Sequence, residues 1–258
     1  MRLKDKAIIV TGSTTGIGEA IARRIVAEGG RVIIHGRDKT AGKRLTKSLG
    51  AGRAVLHIDD LIDATAPARI VSAAVKAFGR LDGIVNNAAY ILRSNLENTD
   101  AELFDRCMAI NVRAPMLLIR SGVEYLKKMR GCVLNVGSIN GHCGESNQLA
   151  YSISKGALLT LSRNLGDALG PAGVRVNHLI VGWVLSENER KLKIREGLPP
   201  RWHKNPPRAF VPTGRMTRPQ DIASAAVFWL SDESRLFSGC VVELEQYPMI
   251  GRNPLKEA

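Results

Sequence analysis

The sequence is poor in cysteine and has no long hydrophobic run. Its cysteines form no Cys-x-x-Cys pair, so we expect no disulfide framework, no structural zinc site and no other bound metal. No stretch approaches the roughly 18 consecutive apolar residues that a membrane-spanning helix requires. The apolar segment Ala7–Val10 is too short for a signal peptide. These absences predict a cytoplasmic protein with reduced thiols and no membrane partner. The scattered cysteines are Cys107, Cys132, Cys143 and Cys240.

Acidic residues are also scarce relative to basic ones. The chain of 258 residues has 37 Lys and Arg against 24 Asp and Glu, which gives a formal net charge of +13. Such a balance favours anionic ligands, and nucleic acid is one candidate. However, the basic residues are spread along the chain, and no helix-turn-helix, zinc-finger or RNA-recognition signature is present. We therefore expect a small-molecule substrate and no nucleic-acid partner.

Short apolar runs rich in Val and Ile recur along the chain, separated by segments with helical spacing. Within most runs successive residues are apolar, which is typical of strands covered on both faces of a parallel sheet. Helical spacing is clearest over Leu149–Leu169 and 221–230. Because no repeat or flexible linker divides the chain, the sequence predicts an α/β fold with a single doubly wound, Rossmann-like domain over residues 1–258. The apolar runs are Ala7–Val10, 32–34, Ala54–Ile58, 84–85, Cys132–Val136, 174–181 and 240–244.

A glycine-rich turn follows the first predicted strand and opens the first predicted helix. Glycines let the backbone turn tightly and approach a pyrophosphate closely, and the amide groups and positive end of the following helix face the anion. At the first βα connection, such a turn predicts a nucleotide-binding site. The turn begins at Thr11, and its predicted cofactor-binding residues are Gly12, Ser13, Thr14, Thr15, Gly16, Ile17 and Gly18.

The spacing of this turn, Thr-Gly-x-x-x-Gly-x-Gly, resembles that of the short-chain dehydrogenase/reductase family. Further motifs similar to those of the family follow in order along nearly the whole chain. The resemblance implies a seven-stranded parallel sheet and nicotinamide-dependent chemistry on an alcohol or carbonyl group. It also implies a homodimer or homotetramer formed through helices over 103–129 and Leu149–Leu169. The motifs are Asn86-Asn87-Ala88-Ala89, Asn111, Ser138, Tyr151-x-x-x-Lys155, Val176-Asn177, Gly182 and Gly214-Arg215 with Pro219 and Asp221.

Four residues, Asn111, Ser138, Tyr151 and Lys155, form the predicted catalytic tetrad. Tyr151 and Lys155 are four residues apart on a helix, so their side chains emerge on one face. A nearby ammonium favours the phenolate and is expected to lower the pKa of Tyr151, which would then act as general acid or base. Ser138 can hydrogen-bond the same substrate oxygen. By resemblance, Lys155 also holds the nicotinamide ribose, and Asn111 positions a water in a proton relay.

The end of the second predicted strand indicates which nicotinamide cofactor is used. Proteins specific for NAD(H) carry an acidic residue there for the ribose 2′-hydroxyl, whereas this chain has Gly36 followed by Arg37. Because an arginine can hold a 2′-phosphate with two donors, we predict NADP(H), with NAD(H) as the alternative. By resemblance, the other cofactor contacts are Asp60 and Leu61 at the adenine, Asn87, Ala88 and Ala89 beneath its ribose, and Tyr151, Lys155, Gly182, Val184 and Ser186 around the nicotinamide.

The residues expected around the tetrad are mostly polar, which predicts a polar substrate. Asn140, His142, Gln148 and Trp183 are expected to face the pocket; the alternative is that they face solvent or pack on loops. The segment 187–212, which we call the lid segment, is rich in proline and is expected to be a long irregular loop. By resemblance it covers the substrate site. Its excess of basic residues either attracts an anionic group or is simply solvated; these residues are Arg190, Lys191, Lys193, Arg195, Arg201, Lys204 and Arg208.

Two segments depart from the family pattern. Val181-Gly182 stands where the family has Pro-Gly, and Glu245-Gln246-Tyr247 replaces Asp-Gly-Gly after the last strand, which bears on the C-terminal tail and on subunit contacts. The leading interpretation is an NADP(H)-dependent oxidoreductase for a small polar alcohol or carbonyl, with an anionic substrate as one option. The alternative is a dinucleotide-binding regulatory or redox-sensing protein. Because such proteins often lack the active-site tyrosine, Tyr151 favours the enzyme.

Overall fold

A seven-stranded sheet, parallel throughout, forms the centre of the computed structural model, which describes residues 1–246. The strand order is β3-β2-β1-β4-β5-β6-β7. The order reverses between β1 and β4, and a crevice opens there at the carboxyl ends of the strands. The strands are β1 (Ala7–Val10), β2 (Arg31–Gly36), β3 (Ala54–Ile58), β4 (Gly83–Asn86), β5 (Cys132–Val136), β6 (Arg175–Val181) and β7 (Val241–Leu244).

Helices cover both faces of the sheet. Successive residues of β1 alternate between two hydrophobic clusters: Ile8 and Val10 pack with α1 and α9, and Ile9 packs with α3 and α5. This two-sided burial explains why the strands read as continuous apolar runs. The helices are α1 (Gly16–Ala27), α2 (Lys39–Leu49), α3 (Ala66–Phe78), α4 (Ala101–Met108), α5 (Ala114–Met129), α6 (Asn140–Cys143), α7 (Leu149–Leu169), α8 (Glu187–Arg195) and α9 (Pro219–Leu230).

The predicted doubly wound α/β fold with seven parallel strands is confirmed. The predicted helix over Leu149–Leu169 has the bounds that the structure gives to α7. None of the helices within residues 1–246 combines the length and apolar content needed to cross a bilayer. The predicted domain end and Tyr247 lie outside the described residues.

The helix expected over 103–129 is interrupted. A π-turn at Ala109–Arg113 separates α4 from α5. There the Ala114 amide donates to the Ala109 carbonyl, five residues back. Asn111 is buried inside this turn, so the irregular backbone lies next to the expected catalytic residues.

The lid segment is more ordered than predicted, because it begins with the nine-residue helix α8. The Ser186 hydroxyl caps this helix by accepting from the Glu189 amide. Glu187 pairs with Arg190 and Lys191 one turn later, and such pairs support a helix that has little apolar surface. Its high charge and the following prolines concealed the helix from a search for apolar periodicity.

An aromatic cluster fixes the lid segment to the rest of the molecule. The rings of Trp183 and Trp202 stack with centroids 5.1 Å apart and planes 12° apart. The Phe210 ring meets Trp183 edge-on at 6.5 Å, and Val211 and Met216 are buried in the same cluster. The lid segment therefore has a small hydrophobic core of its own.

Candidate active site

The glycine-rich turn lies at the switch point, between β1 and α1. Gly12 and Gly16 have φ values of 61° and 62°, in the left-handed region that glycine tolerates. The Asn87 side chain donates to the carbonyl oxygens of Thr11 and Gly12 at 2.9 and 3.1 Å. The Thr11 hydroxyl accepts from the Asn87 and Ala88 amides. The end of β4 thus holds the turn in place.

The first turn of α1 fits a pyrophosphate. Its N-cap residue, Thr15, makes no side-chain cap, so its hydroxyl leaves the first helical amides available. That hydroxyl accepts instead from the Asn188 amide group of α8 at 3.1 Å. A Cβ placed on Gly16 would meet only the Ser186 Cβ, at 3.8 Å. The space that a bound phosphate needs is therefore present between the turn and α8.

At the end of β2, Gly36 packs closely against Thr14 and the Arg37 side chain is exposed. A Cβ at Gly36 would lie 2.8 Å from both the hydroxyl and the methyl group of Thr14, which leaves no room for a carboxylate. The Arg37 side chain is 65% exposed, and its nearest carboxylate oxygen, on Asp60, is 3.7 Å away. Leu61 is buried in the hydrophobic core.

Ser138, Tyr151 and Lys155 come together at the carboxyl edge of the sheet. Ser138 follows β5, whereas Tyr151 and Lys155 lie one turn apart in α7. Ser138 hydrogen-bonds the Tyr151 hydroxyl. The Lys155 Nζ lies 5.6 Å from the centre of the Tyr151 ring and donates to the Val136 carbonyl at 2.7 Å.

Burial dominates the acid–base properties of these two side chains. It raises the pKa of Tyr151 to about 12, although the hydrogen bond with Ser138 acts in the opposite direction. Burial also lowers the pKa of Lys155 from 10.5 to about 8. The predicted net lowering of the Tyr151 pKa is therefore wrong for this arrangement. Removing the phenolate from water outweighs the ammonium, which donates to a backbone carbonyl.

Asn111 joins this group through a second set of buried hydrogen bonds. Its side-chain oxygen accepts from the Tyr90 amide at 2.7 Å. Its side-chain nitrogen donates to the Tyr90 carbonyl at 3.0 Å and to the Ser154 hydroxyl at 2.9 Å. The Cys107 sulfur lies 3.4 Å from the same nitrogen. Tyr90, Cys107 and Ser154 thus orient the tetrad, and no sequence pattern pointed to Cys107.

A cavity of about 620 Å³ opens onto the tetrad between the sheet edge and the lid segment. We call it the catalytic cavity. Ser138, Tyr151 and Lys155 line it, whereas Asn111 is buried behind them. The predicted cofactor residues that line it are Ile17, Asn87, Ala89, Gly182, Val184 and Ser186, together with Tyr151 and Lys155.

Three of the four predicted substrate residues, Asn140, Gln148 and Trp183, line the catalytic cavity. His142 does not; it is exposed, so its prediction as a pocket residue is wrong. The reason is local geometry. Residues 140 and 142 belong to the short helix α6, and two helical steps of about 100° place their side chains on opposite sides.

Three charged residues of the catalytic cavity were missed from the sequence: Arg93, Glu145 and Glu189. Glu189 carried a usable signal, because Ser186-x-x-Glu189 matches the pattern of a helix-capping box. Of the seven basic residues of the lid segment, Lys193 alone lines the cavity. The lid therefore directs little positive charge toward the tetrad.

The C-terminal departure from the family pattern contacts residues on either side of the lid segment. A Cβ at Gly182 would overlap the Glu245 carboxylate, so the two residues are in close contact. The Gln246 side chain accepts from the Thr213 hydroxyl at 2.6 Å and donates to the Arg215 carbonyl at 2.7 Å. Within residues 1–246, no group of three or more His, Cys, Asp or Glu side chains could hold a metal ion.

Known proteins resemble this chain over nearly its whole length. A family model described as Enoyl-(Acyl carrier protein) reductase matches residues 12–245. The NADP-dependent (R)-specific alcohol dehydrogenase of Lentilactobacillus kefiri is 32% identical over 243 residues, covering 92% of this chain and 94% of that protein. The L-rhamnose 1-dehydrogenase (NAD(P)(+)) of Azotobacter vinelandii is 31% identical over 251 residues, covering 93% and 94%.

A solved structure is also similar to this chain over nearly its whole length. The 3-ketoacyl-(acyl-carrier-protein) reductase of Brucella melitensis, complexed with NADH, superposes with a TM-score of 0.83 at 28% identity, covering 94% of this chain and 97% of that one. Sheet, turn and cavity thus belong to a nicotinamide-dependent oxidoreductase that acts on alcohol or carbonyl groups. The chain belongs to the short-chain dehydrogenase/reductase family.

Proposed function

We propose that this protein is an NADP(H)-dependent enzyme that interconverts a small polar alcohol and the corresponding carbonyl compound. The observation that carries the proposal is the meeting of Ser138, Tyr151 and Lys155 in one cavity beside the phosphate-binding turn. A regulatory protein without turnover would have no need of this arrangement.

The residues divide the work of proton transfer and charge stabilisation. The nicotinamide, when bound, supplies or accepts the hydride. Ser138 donates a hydrogen bond to the substrate oxygen, and the Tyr151 hydroxyl, neutral because burial raises its pKa, gives that oxygen a proton during reduction. The Lys155 ammonium stabilises the phenolate that remains. Asn111, which is held by hydrogen bonds to Tyr90, takes part in the relay that returns a proton to Tyr151.

The preference for NADP(H) rests on Gly36 and Arg37. Thr14 fills the space that an acidic side chain at position 36 would occupy, so no carboxylate repels a 2′-phosphate there. Arg37 is exposed at the same edge and has donors for two phosphate oxygens. The names of the relatives include NADP, NAD(P) and NADH. The cofactor preference therefore differs among relatives, and it has to be argued from the residues of this chain. The predicted contacts from the glycine-rich turn, Asp60, Leu61 and Ala88 belong to this proposal.

The lid segment, the subunit arrangement and the location complete the proposal. We assign residues 187–212 as the cover of the substrate site, because α8 and Phe210 help to line the cavity. Met116 on α5 and Ile153 on α7 are apolar yet 36% and 45% exposed, which supports a homodimer or homotetramer through these helices. Four free cysteines support a cytoplasmic location.

A fluorescence titration with NADPH and with NADH tests the cofactor assignment. We expect tighter binding of NADPH. In Arg37→Ala, NADPH binding should weaken by about tenfold or more, because a charge-assisted hydrogen bond is lost, while NADH binding changes little. Arg44→Ala, which removes an exposed cation of α2, is the matched control and should leave both affinities unchanged. Equal weakening of both cofactors by Arg37→Ala would refute this role.

A further inference from the structure

We propose that the substrate is a vicinal diol, or the corresponding α-hydroxy carbonyl, without an acidic group, and that Glu189 accepts a hydrogen bond from the hydroxyl next to the reacting carbon. The inference rests on the proposed function and names its substrate class. Oxidation removes a hydride from the reacting carbon, which NADP⁺, when bound, would accept. Tyr151 first releases its own proton through the relay that Lys155 and Asn111 provide and then takes the proton of the substrate hydroxyl. The neighbouring hydroxyl is unchanged and serves only recognition.

Glu189 is held at the catalytic cavity from two sides. Its backbone amide donates to the Ser186 hydroxyl at 3.1 Å, which fixes the first turn of α8. One carboxylate oxygen, Oε1, accepts from the Trp183 indole nitrogen at 2.8 Å. The other oxygen, Oε2, has no partner among the described residues. A rigidly placed acceptor with one oxygen to spare is suited to receive a hydrogen bond from a ligand.

Glu189 lines the same cavity as Ser138 and Tyr151. Burial is the main reason that the pKa of Tyr151 is raised, and the charge of Glu189 adds to the rise. With the reacting oxygen at Tyr151, we assign the oxygen on the adjacent carbon to Glu189, which lines the same cavity.

The other charges of the cavity argue against an acidic substrate. Arg93 and Lys193 also line it, but both are bound by Glu196: the Arg93 nitrogens Nε and Nη2 at 3.0 and 3.1 Å, and the Lys193 Nζ at 2.8 Å. Glu145, by contrast, lines the cavity with a carboxylate that has no hydrogen bond or ion pair within residues 1–246.

Glu189 and Glu145 therefore line the cavity as carboxylates that no cation within residues 1–246 pairs with, in a protein whose net charge is +13. A substrate carboxylate or phosphate placed beside Glu189 and Glu145 would be repelled. Hydroxyl groups, in contrast, donate to carboxylates, and the adjacent amides of Asn140 and Gln148 can both donate and accept. This charge distribution favours a neutral, hydroxylated substrate over the anionic one that the basic lid segment suggested.

Three four-carbon substrates test the inference. Relative to butan-2-ol, one has a second hydroxyl on the carbon next to the reacting carbon, and another has a terminal carboxylate. We would measure kcat/KM with NADP⁺ for butane-2,3-diol, butan-2-ol and 2-hydroxybutanoate. We expect the diol to exceed butan-2-ol by about tenfold or more, as a hydrogen bond to a charged group provides, and the hydroxy acid to be the poorest. In Glu189→Gln, which can still accept from Trp183, the ratio of diol to butan-2-ol should fall by about tenfold. The ratio of hydroxy acid to butan-2-ol should rise.

Glu187→Gln is the control, because it removes the same charge from an exposed position of α8 outside the cavity. It should change neither ratio. Equal kcat/KM for diol and butan-2-ol in the wild type would overturn the inference while leaving the proposed function intact. So would equal ratios in Glu189→Gln and Glu187→Gln. Turnover of none of the three with bound NADP⁺ would instead overturn the proposed function, and the inference with it.

Discussion

Adding a single methyl group at Gly137 should disturb both the stability of the protein and the position of Ser138. Gly137 joins β5 to Ser138, and a Cβ placed there would overlap Nε2 of His178 on β6. The imidazole is held in place by the hydrogen bond between its Nδ1 and the Ser162 hydroxyl, at 2.8 Å, so moving it costs free energy. Ser162 is itself held by Asn135 at 2.8 Å. Gly137→Ala must therefore shift the strand ends or the ring.

The size of the effect follows from two opposing contributions. Overpacking a core costs about 1–3 kcal/mol, whereas replacing Gly by Ala stabilises by about 0.4–1 kcal/mol through the unfolded chain. Gly137 has no positive φ that would add strain. We therefore expect Gly137→Ala to lower the free energy of unfolding by about 1–2 kcal/mol. In a His178→Ala background the obstacle is absent, and the same change should be neutral or stabilising, so the coupling between the two sites is about 2 kcal/mol.

Urea unfolding of the wild type, both single variants and the double variant measures this coupling. Gly83→Ala is the matched control, because a Cβ on this β4 glycine would meet its neighbours only at 3.4–3.5 Å, an ordinary van der Waals contact, and Gly83 has no positive φ. It should stabilise slightly. The reasoning is refuted if the effects of Gly137→Ala and His178→Ala add to within about 0.5 kcal/mol in the double variant.

Two further predictions concern the catalytic pair. Tyr151→Phe should lower kcat by about 10²–10⁴, because the proton donor is lost, while NADPH affinity measured by fluorescence stays near that of the wild type; substantial retained turnover would exclude Tyr151 as the acid. Burial depresses the pKa of Lys155 from 10.5 in the unfolded chain to about 8, so the unfolded state binds more protons between these values and stability rises with pH by up to about 3 kcal/mol. Lys155→Met should remove this slope. Between pH 8 and 10.5 the unfolding free energy of the wild type should therefore rise relative to that of the variant, and a constant difference would mean that Lys155 does not titrate in this range.

The sequence predicted the parts of the fold that depend on local patterns. Two-sided burial makes β5 apolar at four of its five positions, and the pattern alone places the strand. The Asp38 side chain caps α2 by accepting from the Ala41 amide at 2.9 Å, a short-range contact of the kind that local sequence patterns indicate. The catalytic group was accessible because Tyr151 and Lys155 share a helix face and Ser138 lies at a fixed offset from them.

The parts that escaped prediction depend on contacts between distant segments. Glu189 matches a capping pattern, yet its side chain turns to Trp183 rather than back to Ser186, which only the folded lid segment reveals. The raised pKa of Tyr151 depends on burial, and the sequence does not report how deeply a residue is covered. The predicted roles of Asn140 and Gln148 stay predictions, and that of Arg37 is tested by the titrations with NADPH and NADH.

The π-turn at Ala109–Arg113 has different consequences for the helix and for the site: the helix could continue without it, but it sets the position of Asn111. A helix advances by about 100° per residue, so the additional residue in this turn sets the side chains of α5 one step out of phase with those of α4. Deleting one residue there would restore a continuous helix with shorter backbone hydrogen bonds. It would also rotate Asn111 away from Tyr90 and Ser154, to which it is bound here. The additional residue thus serves the site rather than the helix, because it keeps Asn111 on the buried partners that hold it in the proposed tetrad.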